Sequence, residues 1–223
     1  MTETNISSNP EALRIGVALY PGFEALDAFG PLNCLNYLSR SESITLSVLA
    51  STLDPVSTKT PAYPAGIGQS IVPTHTFANA PALDVLLVPG GQGSRGSSPV
   101  VLETIAFIRD SYPSLKYLIT VCTGAGLAAR AGVLDGRRAT TNKKAWKDII
   151  VLGPEVKWVA RARWVTDGNI WTSSGVSAGI DVTLAWIEEF FGKEKAKAIA
   201  DGNEYTRHED PDFDPFAELY GLA

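Results

Sequence analysis

The sequence predicts an α/β domain built on a mostly parallel β-sheet with helices on both faces. Two observations predict it. The runs "RIGVALY" (14–20), "DVLLVPGG" (84–91) and "LKYLITV" (115–121) are apolar without alternation, the pattern of strands buried on both faces. Segments with helical spacing lie between such runs, as parallel strands require of their crossover connections. The 223 residues are enough to bury a sizeable core.

Taken in order, residues 1–13 are polar and lack the basic and apolar regions of a secretory signal, so they are expected to form a disordered leader. "RIGVALY" is the first strand. The stretch through "FGPLNCLNYLSRS" reads as a helix with apolar positions at Leu26, Phe29, Leu32, Leu35 and Leu38, and Pro31 is placed to kink or restart it. "SITLSVLAS" (43–51) is the next strand, a Pro/Gly/Ser/Thr-rich irregular segment follows, and "IVPTHTF" is extended. "DVLLVPGG" ends in a glycine turn before the helix "PVVLETIAFIRDSY". "LKYLITV" leads into "TGAGLAARAG", a helix closed by Gly132 at its C′ position. "ATTN" is extended and "KKAWKDIIVL" helical; "RWVTDGNIWTSS" is a hairpin joined by Asp167-Gly168. An amphipathic helix, "SAGIDVTLAWIEEFFG", precedes a charged one from Lys193 to about Tyr205. The expected organisation is one α/β domain over 14–206 and an acidic arm over 207–223, ordered because it carries aromatics.

Composition narrows the function. A net charge of −5 with no basic stripe argues against a nucleic-acid surface. No apolar run approaches the roughly 18 residues of a membrane helix. Two cysteines are too few for a disulfide scaffold, so a cytoplasmic protein with reduced thiols is expected. No cofactor and no metal site is expected.

Ligands of parallel sheets bind beyond the carboxyl ends of the strands. Three motifs compete there. "GQGSRG" (91–96) has dinucleotide-binding spacing, but no acid ends the next strand and the motif lies well after the first one. It reads better as a strand-end turn whose N–H groups face the site. "GVSAG" (175–179) has nucleophile-elbow spacing, but the strand before it belongs to a hairpin, and small residues at a helix start pack closely without chemistry. Cys122 ends an apolar central strand and starts a helix, with Gly124 giving clearance. A helix N-terminus favours a thiolate, and the Gly90-Gly91 amides are candidates to receive developing negative charge. Cys34 lies within a helix and reads as a buried structural thiol. Neither histidine is placed to pair with Cys122, which argues against a cysteine protease.

"YPGFEALDAFGPL", "LLVPGG", "VCTGAGLAARAGVLDGRRATT" and "DGNIWTSSGVSAGID" together resemble the ThiJ/PfpI superfamily in the same order, over about residues 14–192, with isonitrile (isocyanide) hydratases the nearest branch. The resemblance implies a flavodoxin-like, class I glutamine amidotransferase-like sandwich and a homodimer. It implies Cys122 as the elbow nucleophile, Asp27 as its acidic partner, and the Gly90-Gly91 turn with Thr123 as a pocket wall. Relatives described as proteases or chaperones often carry histidine after "ATT"; this chain has Asn142. The acidic arm also departs from the hydratases. The implied chemistry is addition of Cys122 to an isonitrile carbon, with a protonated Asp27 managing protons in a pair that titrates as a unit. Thr140, Thr141, Asn142 and Trp146 are further pocket candidates. Two alternatives stand beside it: a cofactor-free glyoxalase-like activity on methylglyoxal, and a redox-sensing or chaperone-like protein. A DNA-binding regulator is disfavoured, since such relatives carry a helix-turn-helix domain.

Overall fold

The computed structural model describes residues 12–60 and 62–222; the leader expected over 1–13 lies outside them up to residue 11. Among the described residues eleven strands and seven α-helices follow one another. The strands are β1 (Leu13–Ala18), β2 (Ile44–Ala50), β3 (Val56–Ser57), β4 (Ser70–Ile71), β5 (His75–Thr76), β6 (Val85–Val88), β7 (Tyr117–Thr120), β8 (Arg138–Ala139), β9 (Lys157–Trp158), β10 (Trp164–Asp167) and β11 (Ile170–Ser173). The helices are α1 (Ala25–Leu38), α2 (Pro99–Ser111), α3 (Gly124–Arg130), α4 (Trp146–Ile150), α5 (Ala178–Phe191), α6 (Lys193–Gly202) and α7 (Pro215–Leu219).

Seven strands form one sheet in the order β10-β11-β7-β6-β1-β2-β5. Every neighbouring pair is parallel except the β10–β11 hairpin at one edge. The fold is the expected α/β, flavodoxin-like class. β6 is buried at all four positions and β7 at three of four, which is why their sequences show no alternation. On one face α1 packs against α5, and α5 against α6.

Several details differ from the sequence reading. The hairpin turn is Gly168-Asn169, one residue later than expected, because Asp167 still pairs with Ile170. Gly168 takes φ +61 at the first turn position, which a glycine supplies without strain. α1 runs through Pro31 without interruption, and Leu26 and Phe29 on it are exposed rather than core. The helix expected over "KKAWKDIIVL" shortens to α4, and the charged helix ends at Gly202. The arm beyond residue 206 is held by polar rather than aromatic contacts. Phe213, Phe216 and Tyr220 are exposed, while Asp214 and Ala217 are buried. No helix among the described residues is long and apolar enough to cross a membrane.

Candidate active site

Cys122 follows β7 in the left-handed region, at φ +58. A non-glycine residue holds such a conformation only when its surroundings fix it. Two bonds do so: the Cys122 N–H donates to Ser174 O at 3.0 Å, and the Thr141 hydroxyl donates to Cys122 O at 2.8 Å. Gly124 makes the turn possible, since a Cβ there would lie 2.3 Å from the Val88 carbonyl. The helix expected to be closed by Gly132 ends as read, with Gly132 at φ +78.

Asp27 sits in the first turn of α1, fully buried. Its Oδ2 accepts the Gly90 N–H at 2.9 Å, and its Oδ1 has no partner among the described residues that meets hydrogen-bond geometry. The Cys122 thiol nevertheless lies near enough to lower the carboxyl's pKa. Burial dominates: it raises Asp27 to about 7 against the Gly90 N–H, with the nearby Glu24 carboxylate raising it further. Gly90 must be glycine here, because a Cβ would stand 2.5 Å from Thr123 N and 2.9 Å from Asp27 Oδ2. The buried Tyr20 hydroxyl closes this side by donating to Pro89 O at 2.7 Å.

Burial also pushes the Cys122 thiol up to about 12, and Asp27 adds to the rise. This is opposite to the lowering that a helix N-terminus predicts. Desolvation wins because only 5% of Cys122 is exposed. Three donors oppose the rise: the Val176 N–H, the Asn142 side chain and the Thr123 N–H. Asn142 Nδ2 reaches Sγ at 3.1 Å, and its Oδ1 is fixed by the Ala145 N–H at 3.0 Å.

These donors replace the expected ones. The Gly90 N–H is taken by Asp27, and the Gly91 N–H donates to Thr123 Oγ1 at 2.9 Å. Neither is left for a developing anion. The same holds along "GQGSRG", where the Gly93 N–H donates to Gly22 O; the turn is spent on internal bonds rather than facing the site. Val176 was missed by sequence reading because its contribution is a backbone N–H at φ +24, which no side-chain pattern encodes. The "GVSAG" spacing marked its neighbourhood, and β11 before it is parallel to β7 despite belonging to a hairpin. Ser177 Oγ itself accepts from the Arg163 guanidinium at 3.2 Å.

The thiol opens on a cleft of about 490 Å³ whose lining includes Glu24, Gly91, Arg95, Thr123, Asn142 and Val176, and no histidine. Thr140, Thr141 and Trp146 do not line it. Thr140 donates instead to Val159 O at 2.7 Å, Thr141 supports the elbow, and Trp146 packs edge-on against Trp158. Among the described residues no group of three or more His, Cys, Asp or Glu is placed to hold a metal.

Behind the elbow lies a charge cluster that the sequence did not announce. Lys143 Nζ donates to Thr140 Oγ1, Thr141 O and Ala162 O at 2.6, 3.2 and 2.8 Å, and stands 3.9 Å from Asp214. Arg163 pairs with Asp181 at 2.8 Å and lies 3.8 Å from Asp214. The Ser174 hydroxyl donates to Asp214. The acidic arm therefore locks the residues that hold the Cys122 backbone.

A parallel α/β sheet with a buried cysteine at a strand-end elbow, facing a buried carboxyl, defines a thiol-centred α/β protein without a histidine partner. The chain belongs to the DJ-1/PfpI family, whose model matches residues 13–189. It is 34% identical to an isonitrile hydratase from Pseudomonas putida over 195 residues, 87% of this chain and 79% of that protein. It is also 34% identical over 143 residues to an HTH-type transcriptional regulator from Pseudomonas aeruginosa, 64% of this chain but 38% of the regulator. A THiJ/PfpI family protein structure from Pseudomonas syringae superposes with a TM-score of 0.73 at 30% identity, covering 96% of this chain and 84% of that one.

Proposed function

We propose that this protein hydrates small isonitriles to N-substituted formamides through Cys122. The observation that carries the reading is the isolated pair: a buried thiol at a left-handed elbow beside Asp27, a carboxyl raised to about 7. An acid–base group works best with a pKa near the working pH, and Asp27 has that value without a histidine. The similarity to an isonitrile hydratase over most of its length supports the substrate class.

In this mechanism an ionised Asp27 takes the thiol proton as Sγ bonds to the terminal carbon of R–N≡C. The same proton passes to that carbon, giving the thioimidate R–N=CH–S–Cys122. Water then adds across the C=N bond, its oxygen to carbon and a proton to nitrogen. The C–S bond breaks as the new C–OH becomes C=O, its proton returning to sulfur through Asp27. One isonitrile and one water give one formamide and restored thiol. Asn142, Val176 N–H and Thr123 N–H stabilise negative charge on sulfur as it forms and leaves. Glu24 beside Asp27 adds to the rise that brings the carboxyl to about 7, where it can both take and return the proton.

The test is formamide release from a broad panel of isonitriles. Turnover by wild type that is lost in Asp27→Asn supports the reading; an inactive wild type across the panel removes the hydratase assignment. Lactate formed from methylglyoxal without glutathione would select the glyoxalase-like alternative. A redox-sensor reading has less support, since sensor thiols are accessible and of low pKa and Cys122 is neither. The homodimer belongs to the same proposal, supported by the exposed Leu26 and Phe29 on α1, and sedimentation analysis decides it. So does a cytoplasmic location.

A further inference from the structure

Tyr20 is fully buried in the hydrophobic core just beyond β1. A buried hydroxyl costs free energy unless it is bonded, and phenylalanine would fill the same space without that cost. The hydroxyl donates to Pro89 O at 2.7 Å. That carbonyl belongs to the same amide as the Gly90 N–H, which donates to Asp27 Oδ2 at 2.9 Å. Tyr20 and Asp27 therefore hold opposite ends of one planar group.

Other bonds fix where this group stands. The Glu24 N–H donates to Gly90 O at 2.8 Å and ties the turn to the start of α1. The Val121 N–H donates to Val88 O at 3.0 Å and ties the strand end to the segment after β7. Between these anchors, the tilt of the Pro89–Gly90 amide is set by Tyr20 at its oxygen and Asp27 at its N–H. A hydrogen bond to an amide oxygen also draws charge from the N–H, which then donates more strongly. The Gly90 N–H is the stronger of the two bonds that oppose the effect of burial on Asp27, so strengthening it favours the ionised carboxyl.

We propose that Tyr20 is a positioning residue for the reaction: through the Pro89–Gly90 amide it holds the Gly90 N–H on Asp27 and favours the ionised carboxyl that takes the thiol proton, a role that rests on the hydratase reading. The other groups around Asp27 do not duplicate it. Glu24 on the same helix opposes ionisation, and Cys122 bonds from the elbow. α5, packed on α1, brings Asp181, which is paired with Arg163. α6 brings Lys195, which is paired with Glu42 beyond the end of α1. Tyr20 stays a donor throughout, since burial, with Asp27 and Cys122 nearby, holds its phenol well above the ordinary range.

The experiment reads Asp27 directly. Protein labelled with carbon-13 in its aspartate side-chain carboxyls is titrated by NMR from about pH 4 to about 9, and the resonance missing from Asp27→Asn is Asp27. Its midpoint should rise in Tyr20→Phe by a few tenths of a pH unit, on the order of 0.3. It should fall in Tyr20→3-fluorotyrosine, whose more acidic hydroxyl is a stronger donor; that variant also serves if Tyr20→Phe does not fold. Tyr37→Phe removes a hydroxyl bonded to Gly202 O near the far end of α1 and should leave the midpoint in place. An unmoved or lowered midpoint in Tyr20→Phe, or an equal rise in Tyr37→Phe, overturns the proposal. In the hydration assay, the pH at which formamide release rises should move with the NMR midpoint while the rate on the alkaline plateau holds. A uniform fall in rate with an unmoved midpoint marks Tyr20 as packing alone and overturns it too. If the NMR midpoint moves but no isonitrile is turned over, the hydratase reading fails and the link from Tyr20 to Asp27 stands; turnover with an unmoved midpoint keeps the reading and removes the link.

Discussion

Replacing Asp27 with asparagine should stabilise the protein at neutral and alkaline pH while removing activity. The carboxyl's pKa rises from 3.8 to about 7 on folding, so the folded state binds this proton more tightly than the unfolded chain. The stability from that proton is fully present below pH 3.8 and is lost as pH rises to about 7. Over roughly three pH units, at about 1.36 kcal/mol each, the loss is on the order of 4 kcal/mol, an upper figure for one buried group. The asparagine side chain would keep an acceptor for the Gly90 N–H and carries no charge to desolvate. Urea unfolding of both proteins from pH 5 to 8.5 measures the difference. The variant's advantage should grow with pH and level off above about 7.5. A constant difference, or a wild type that gains on the variant as pH rises, would show that Asp27 folds ionised and would refute the argument.

Other consequences follow from the same geometry. Plain alkylation of Cys122 should keep accelerating as pH climbs toward about 12, whereas formamide release should rise around pH 7 as Asp27 ionises; coincident profiles would mean that the carboxyl is not the base. Asn142→Ala removes the 3.1 Å donor to sulfur and should slow alkylation at pH 9 by about tenfold, the scale of one lost hydrogen bond to charge; an unchanged rate contradicts that role. Gly124→Ala puts a methyl 2.3 Å from the Val88 carbonyl and should cost several kcal/mol, on the order of 3, read as a fall in Tm. Asp214→Ala leaves Lys143 without its carboxylate and should cost about 3–5 kcal/mol in urea unfolding, with Asp214→Asn recovering part of it.

The sequence carries the architecture because buried parallel strands and their crossover helices have distinct periods. It carries Cys122 because an apolar run stops at a polar, nucleophilic side chain. Asp27 was legible only through family resemblance: it sits far upstream and meets the thiol through the order of β1, β6 and β7 in the sheet. Val176 acts through its backbone, so its side chain says nothing of its place. Lys143 and Lys144 are adjacent and chemically alike, yet the first is buried in a charge cluster and the second lines the cleft; only the placement of Asp214 separates them. The arm's aromatics suggested packing, whereas its anchor is a carboxylate, since the partners Lys143, Arg163 and Ser174 come from three distant segments.

In the proposed mechanism Cys122 bonds to the substrate's carbon. The direct measurement is acid-quenched mass spectrometry within milliseconds of mixing the protein with benzyl isonitrile, followed by peptide mapping. The expected result is one added isonitrile mass on the peptide bearing Cys122, and no formamide from Cys122→Ala. Formamide released by Cys122→Ala at the wild-type rate would contradict it.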